Sequence, residues 1–315
     1  MGGAARRRRA APISTMNYMT ISQISDTRWL QLLDNLDFYP PFYSPLWLRA
    51  YEKVKKGYRA GAFEINCKET TYLFPYLESR FLIFKILYSN PLSTYGGPVL
   101  VSGDHDPGCL RRAMKYLSRR FSGILINFDP FNTVREEIFS GFRVTRGFTH
   151  VIDARSGFRF SGSFLRGVKK ARREGVEVAV NEFVGDFLAE IFRRGWLDKR
   201  LQGKDFFFKE LIESGCARLY SAVYRGEPIA HIYILFGRNY AFYHYGVARK
   251  EYLGLRPNNL LHYTVVRENG IYNLGSSVGL PGVEEFKRRM GAMRVSVVSI
   301  YRGIIPRRPW RGGTV

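Results

Sequence analysis

The chain has 315 residues, 45% of them hydrophobic and 15% aromatic, which suits one large or two ordinary folded domains and excludes an intrinsically disordered polymer. Against 27 Asp and Glu stand 49 Lys and Arg, and the net charge of +22 asks for a polyanionic partner: nucleic acid, an anionic membrane surface or a phosphate-rich small molecule. The longest apolar run, FLIFKILY at 81–88, contains a lysine and is far too short to span a bilayer, so no transmembrane segment is expected.

The N-terminal MGGAARRRRAAPIST has a basic cluster with no apolar stretch behind it, so it does not read as a secretory signal. It reads as a basic arm over 1–16, or as translated leader ahead of a start at Met16 or Met19. Residues 20–25 resemble a short strand, and DTRWLQLLDNL puts Trp29, Leu32, Leu33 and Leu36 on one helical face with Asp26 as cap. YSPLWLRAYEKV repeats that logic, with Ser44 as cap and Pro45 at the first helical position. Strands are expected at RAGAFEI, TTYLFPYL and FLIFKILY, then a helix in DPGCLRRAMKYLSRRF, and strands in GILINFD and FRVTRGFTHVID. The three cysteines, Cys67, Cys109 and Cys216, have neither metal-ligand nor redox-motif spacing and are expected as buried free thiols in a reducing cytoplasm; no metal site is expected.

The second half opens with the helical SFLRGVKKARREG and a strand at VEVAV. Two helices, VGDFLAEIFRRGWLDKR and KDFFFKELIES, precede a hairpin in which ARLYSAVY and IAHIYILF flank a Gly-Glu-Pro turn. NYAFYHYGVA is a further strand, RPNNLLHYTVVRENG a helix with Asn258 or Asn259 near its start, and IYNLG, VEEFKRRMGA and RVSVVSIY follow as strand, helix and strand. Both halves thus run through helices, an antiparallel meander, a helix and a closing strand. We expect mixed α/β architecture in two related domains, 17–153 and 154–303, with a separate V-shaped sheet in each and a loose basic tail over 304–315.

Walker, HExxH, GxSxG, CxxC and GxGxxG patterns are all missing. Strict alternation in Tyr240–Val247 would put Tyr240, Phe242 and His244 on one face and Tyr243, Tyr245 and Val247 on the other. His231 and His244 are candidates for neighbours across a sheet, but a satisfied, half-buried histidine is the better default for each. The helix start after Arg256 offers free N–H groups and a positive dipole end, the usual seat of a pyrophosphate; a capped structural helix is the other explanation.

Six segments in order carry a resemblance: STYGGP at 93–98, SFLRGVKKARREGVEV at 163–178, GEPIA at 226–230, FYHYGVA at 242–248, RPNNLLHYTVVRENGIYNLG at 256–275 and VEEFKRRMGA at 283–292. Together they resemble the FemAB-like branch of the GNAT acyltransferases, whose members have two GNAT-type domains and join an activated acyl or aminoacyl group to an amine. The resemblance implies a cytoplasmic N-acyltransferase that takes an acyl group from acyl-CoA, its co-substrate, to an amine acceptor. It also implies a donor site at Arg256, Asn258, Asn259 and Phe286, with Lys287 beside it as a charge for the carrier phosphate or the transition state. Backbone N–H groups near Tyr245 and Gly246 would meet the oxyanion, and Tyr243, His244 or Tyr245 would relay a proton. Two departures bear on the chemistry. The family often has Asp where Asn273 stands, so no acid–base role carries to Asn273, and there is no room between 176 and 217 for the long helical arm of some aminoacyl-tRNA-dependent members.

In the helix over 163–174, Phe164, Val168 and Ala171 make a narrow apolar stripe. Lys169, Lys170, Arg172 and Arg173 then form a solvated face bordering the approach of an anionic substrate. Two rivals to the acyl-CoA reading follow from the charge: transfer from aminoacyl-tRNA, and a non-catalytic module that binds nucleic acid or an anionic surface.

Overall fold

The structure, a computed structural model, describes residues 19–91, 94–132, 139–194 and 201–305. The expected N-terminal arm over 1–16, most of the tail and the end of the GWLDKR helix lie outside the described residues. In the first half β1 (Met19–Gln23) leads to α1 (Asp26–Asp34) and α2 (Pro45–Val54). The α1 cap is Ser25 rather than Asp26: the Ser25 hydroxyl accepts from Arg28 N, while Asp26 pairs with Arg49. Next come β2 (Tyr58–Cys67), β3 (Thr70–Phe81), β4 (Phe84–Tyr88), β5 (Val99–Ser102), α3 (Pro107–Arg120), β6 (Gly123–Asn127) and β7 (Arg143–Asp153). The run FLIFKILY is therefore not one strand, because a tight turn at Leu82 and Ile83 folds it into a hairpin.

The second half has α4 (Gly162–Arg173), β8 (Glu177–Val180), α5 (Val184–Arg194), α6 (Asp205–Glu213), β9 (Ala217–Tyr224), β10 (Glu227–Gly237) and β11 (Tyr240–Ala248). It closes with α7 (Pro257–Glu268), β12 (Ile271–Asn273), α8 (Pro281–Arg289) and β13 (Met293–Gly303). Helix α4 buries Phe164, Gly167, Val168 and Ala171, as its stripe requires.

The architecture is mixed α/β, but the strands do not split into two sheets. They form one path, β1-β2-β3-β4-β6-β13-β7-β12-β11-β10-β9-β8, with β5 added beside β3. The join is an exchange. The last strand, β13, lies antiparallel between β6 and β7, and β7 in turn pairs with β12. Sequence order hides this, because β13 follows the second half and yet borders the first. One apolar core, including Trp29, Phe42, Trp47, Phe187, Phe208 and Tyr233, draws on both halves. Two further cores lie under α3 and between α4, α7 and the second-half strands.

The cysteine expectation fails in part. Cys67 at the end of β2 and Cys109 in α3 form a disulfide across 42 residues, with Cα atoms 6.0 Å apart. Cys216 is the buried free thiol.

Candidate active site

Strand β11 carries the densest aromatic sequence, and its pairing with β10 is broken at one place. Tyr233 faces Tyr245 and Ile234 faces Tyr243, so His244 is an extra, unpaired residue. The bulge corrects the strict alternation expected for this strand: beyond it Tyr245 and Val247 join Phe242 against the shared core, while Tyr243 packs with the α4–α7 core. His244 lies among the rings of Trp47, Phe242 and Tyr245, with its Nε2 buried and unbonded. Burial pulls its pKa down to about 3, which makes it a poor base. His231 is not its neighbour; it faces Val247 and shares a hydrogen bond with Ser221. Burial raises the Tyr243 phenol to about 12, and its hydroxyl covers Gly246, where an added Cβ would come within 2.3 Å of it.

On the other side, β11 and β12 run parallel only from Tyr240/Ile271 to Phe242/Asn273. Beyond Asn273 the chain turns to β7 instead, with Leu274 N donating to His150 O at 2.8 Å and His150 N to Gly275 O at 3.1 Å. Among the described residues the β11–β12 register therefore ends at Phe242/Asn273, and the two strands part beyond it.

Helix α8 brings Lys287 to that divergence. The expected apolar face of Val283, Phe286 and Met290 is only partly formed, since Val283 is 41% exposed. Phe286 does pack, against the rings of Phe164 and His262. Lys287 is the residue the helix buries, and its ammonium donates to Gly275 O at 3.0 Å and Ser276 O at 2.9 Å. Its neighbours Arg288 and Arg289 instead pair with Glu285 in solvent. Burial lowers the Lys287 pKa to about 8, with Glu284 working in the opposite direction. Two of its three N–H groups are engaged and one remains.

The carrier candidates divide. Arg256 adopts the left-handed conformation ahead of α7 and is exposed, and Asn258 is half-buried in the first turn. Asn259 faces inward, its amide donating to Phe164 O and lying where any side chain on Gly167 would fall, so it pins α7 to α4. Of the α4 cations, Lys169, Arg172 and Arg173 are exposed and Lys170 half-buried; Arg172 lies over the Tyr263 ring, and Arg173 pairs with Glu174.

Sequence reasoning missed a chain of polar groups beneath the divergence. Thr149 donates to Asn273 Oδ1 at 2.7 Å, Asn273 Nδ2 to the Tyr240 hydroxyl at 2.9 Å, and that hydroxyl to Asp129 at 2.9 Å. Burial pushes the Asp129 carboxyl up to about 7, against the pull of its bonds from Phe131 N and Tyr240. The four positions come from β7, β12, β11 and the turn after β6, and no local pattern in the sequence connects them.

The bulge, the end of the β11–β12 register and Lys287 all fall within one family match. Residues 160–288 match the model of the acetyltransferase (GNAT) domain. That stretch carries a GNAT domain. The fold of the whole chain is similar to the crystal structure of FemX, at 12% identity and a TM-score of 0.66 over 89% of this chain and 96% of that one. It is also similar to a domain described as the C-terminal part of a lysylphosphatidylglycerol synthetase from Agrobacterium fabrum, at 11% identity and a TM-score of 0.54 over 88% of this chain and 92% of that one. A tandem GNAT protein from the clavulanic acid biosynthesis pathway aligns at 10% identity and a TM-score of 0.51 over 92% of this chain and all (100%) of that one. At these identities the likeness is one of fold, and it agrees with the FemAB-like architecture expected from the ordered motifs. No curated protein matches the chain. Among the described residues no helix is long and apolar enough to cross a membrane.

Proposed function

We propose that the protein is an N-acyltransferase that moves an acyl group from acyl-CoA to an amine. The observation that carries this is the divergence of β11 from β12 beside Lys287, within a GNAT domain. The part of β11 near Gly246, past its last register with β12, would receive the acyl carbonyl, and Arg256 with the first turn of α7 would hold the phosphates of the carrier. The neutral amine attacks the thioester carbonyl carbon; the C–N bond forms, the C–S bond breaks, and the leaving thiolate takes the proton that the amine gives up. His244 is too acidic, and Tyr243 too basic as a phenolate, to serve as a base near neutrality, so this direct route suits the surroundings. Lys287 would turn its remaining N–H to the developing oxyanion.

The net charge of +22 supports a second reading, in which the donor is an aminoacyl group carried by tRNA. Thermal-shift titration with acetyl-CoA, longer acyl-CoA and aminoacyl-tRNA, followed by assay of thiol release with a panel of amines, tests both readings. Stabilisation and thiol release with an acyl-CoA are expected. Salt-sensitive tRNA binding with no response to any acyl-CoA would replace the first reading with the second.

A further inference from the structure

The hairpin between β3 and β4 ends in residues that water should disfavour. Phe81 is 46% exposed, Leu82 79% and Ile83 86%, the two most exposed large apolar side chains of the described chain together at one tip. Leu82 also has a φ of +55°. A two-residue turn with a positive φ at its first position normally takes glycine there, so a leucine adds backbone strain to solvent exposure. Neither folding nor the transfer reaction accounts for this choice.

What surrounds the tip is basic. Backbone bonds from Ser122 N to Lys85 O at 2.8 Å and from Ile304 N to Ser122 O at 2.9 Å tie the hairpin base, the start of β6 and the end of β13 side by side. Arg80, Lys85, Arg119, Arg120 and Arg302 are exposed around this end. Among the described residues the one ion pair in this set is Lys85 with Glu78, at 3.8 Å. Between α3 and Arg302 lies a groove of about 390 Å³, in which Arg111, Lys115, Arg119 and Arg302 rim an apolar floor of Met114, Phe139 and Phe142. The buried hydroxyl of Ser118, on the same groove, has no hydrogen-bond partner among the described residues.

We propose that this end of the first half is a docking surface for an anionic lipid bilayer, with Leu82 and Ile83 entering the acyl boundary and the arginines and lysines meeting lipid phosphates. An apolar tip ringed by cations matches the depth profile of such an interface, apolar inside and negative at the surface. The groove is wide enough to hold one phosphate head group against cations while its apolar floor covers the adjoining glycerol and first methylenes.

The test uses the full chain and sedimentation with vesicles of phosphatidylcholine alone or mixed with phosphatidylglycerol. Binding is expected to the mixed vesicles and to weaken with salt. The double variant Leu82→Gly/Ile83→Asn gives the turn the residues its backbone favours, so it should melt at or above the wild-type temperature while its vesicle partition falls by about tenfold or more. Lys115→Gln/Arg119→Gln/Arg302→Gln should lose binding to the mixed vesicles by a similar factor. Unchanged partition of the tip variant, equal binding to both vesicle types, or no wild-type binding would each overturn the proposal. So would concentration-dependent dimerisation that the tip variant abolishes, which would make the tip an interface between copies of the chain.

Discussion

In the first half β4 and β6 run parallel from Ile86/Gly123 to Tyr88/Leu125, and α3 lies between them in sequence. In the second half β11 and β12 run parallel from Tyr240/Ile271 to Phe242/Asn273, with α7 in the same place. Each parallel pair is bordered by a strand exchanged from the far end of the other half, β13 beside β6 and β7 beside β12. The difference lies in what happens where the pairs part. Beyond Tyr88 the chain fills its own opening: Ser89 N donates to Leu125 O, Gly96 N to Asn127 O, and the Asn90 amide to the carbonyls of Phe42 and Tyr95. Beyond Phe242 a bulge, a glycine and a buried lysine border the place where the strands part. One backbone unit thus continues into a hydrogen-bonded loop in one place and, in the other, parts beside a bulge and a buried lysine, where the proposed acyl site lies.

The largest break should come at Lys287. Lys287→Met is expected to cut transfer on the order of a hundredfold, with Arg288→Met and Arg289→Met near wild type because both arginines stand in solvent. With its pKa near 8, the ammonium is lost as pH rises through that value, so wild-type activity should fall above about pH 8. In Lys287→Arg, whatever activity survives should lack that alkaline limb, since guanidinium stays charged. Equal, small losses in all three methionine variants would remove Lys287 from the chemistry.

The glycines sharpen the same contrast. A Cβ on Gly96 would stand 2.9 Å from the Ser89 carbonyl oxygen and 2.6 Å from the Asn90 amide, inside the seal. Gly96→Ala should therefore lower stability by about 1–3 kcal/mol and leave transfer intact at low temperature. At Gly246 the nearest obstacle is the far end of the Tyr243 side chain, so Gly246→Ala should melt nearly normally and lose transfer activity. Tyr243→Phe in the same chain, which removes the clashing hydroxyl, should restore part of that loss. Chemical denaturation beside a thiol-release assay separates the outcomes.

How far the sequence foretold this contrast depended on whether the relevant groups were near one another in the chain. The stripe of α4, the Ser44 cap and the pairing of β9 with β10 follow from local periodicity and capping chemistry, and the structure forms all three, but the hairpin turns at Arg225–Gly226 and not over Gly-Glu-Pro, because Glu227 and Pro228 already belong to β10. The His244 bulge was out of reach, because a single extra residue in a ladder leaves no compositional mark. The β7–β13 exchange, the Cys67–Cys109 bond and the Thr149–Asn273–Tyr240–Asp129 chain all join distant segments, and only packing brings them together. Lys287 was picked out by family likeness, yet its burial and its bonds to Gly275 and Ser276 needed the turn after β12 to be placed.

Asp129 tests the seam between the two units. Its folded pKa near 7 lies above the ordinary carboxyl range, so the neutral form is the one the fold favours. Its contribution to stability is complete below about pH 4 and is lost as pH rises through about 7. Asp129→Asn, which still accepts from the Tyr240 hydroxyl, should flatten the decline in unfolding free energy between those limits and leave the protein more stable than wild type at pH 8. An unchanged pH slope would mean that Asp129 ionises in the fold as easily as in water.

The smallest effect is expected on α4, at the rim of the open unit. Lys169, Lys170, Arg172 and Arg173 lie off the buried stripe, and their combined change to Gln removes charge without touching Phe164, Val168 or Ala171. The melting temperature should therefore stay close to wild type, as surface changes away from caps and cores shift stability by about 0.5 kcal/mol or less. If α4 attracts the carrier over a distance, KM for the donor should rise a few-fold, kcat should hold, and the salt dependence of kcat/KM should shrink. The comparison variant is Arg256→Gln, which stands at the start of α7 itself. Loss of a direct phosphate contact there should raise KM at every salt concentration, whereas the α4 set should approach wild type as salt screens both proteins. Should the two variants respond to salt alike, α4 would be a second contact with the carrier and the rim would extend from α7 across its basic face.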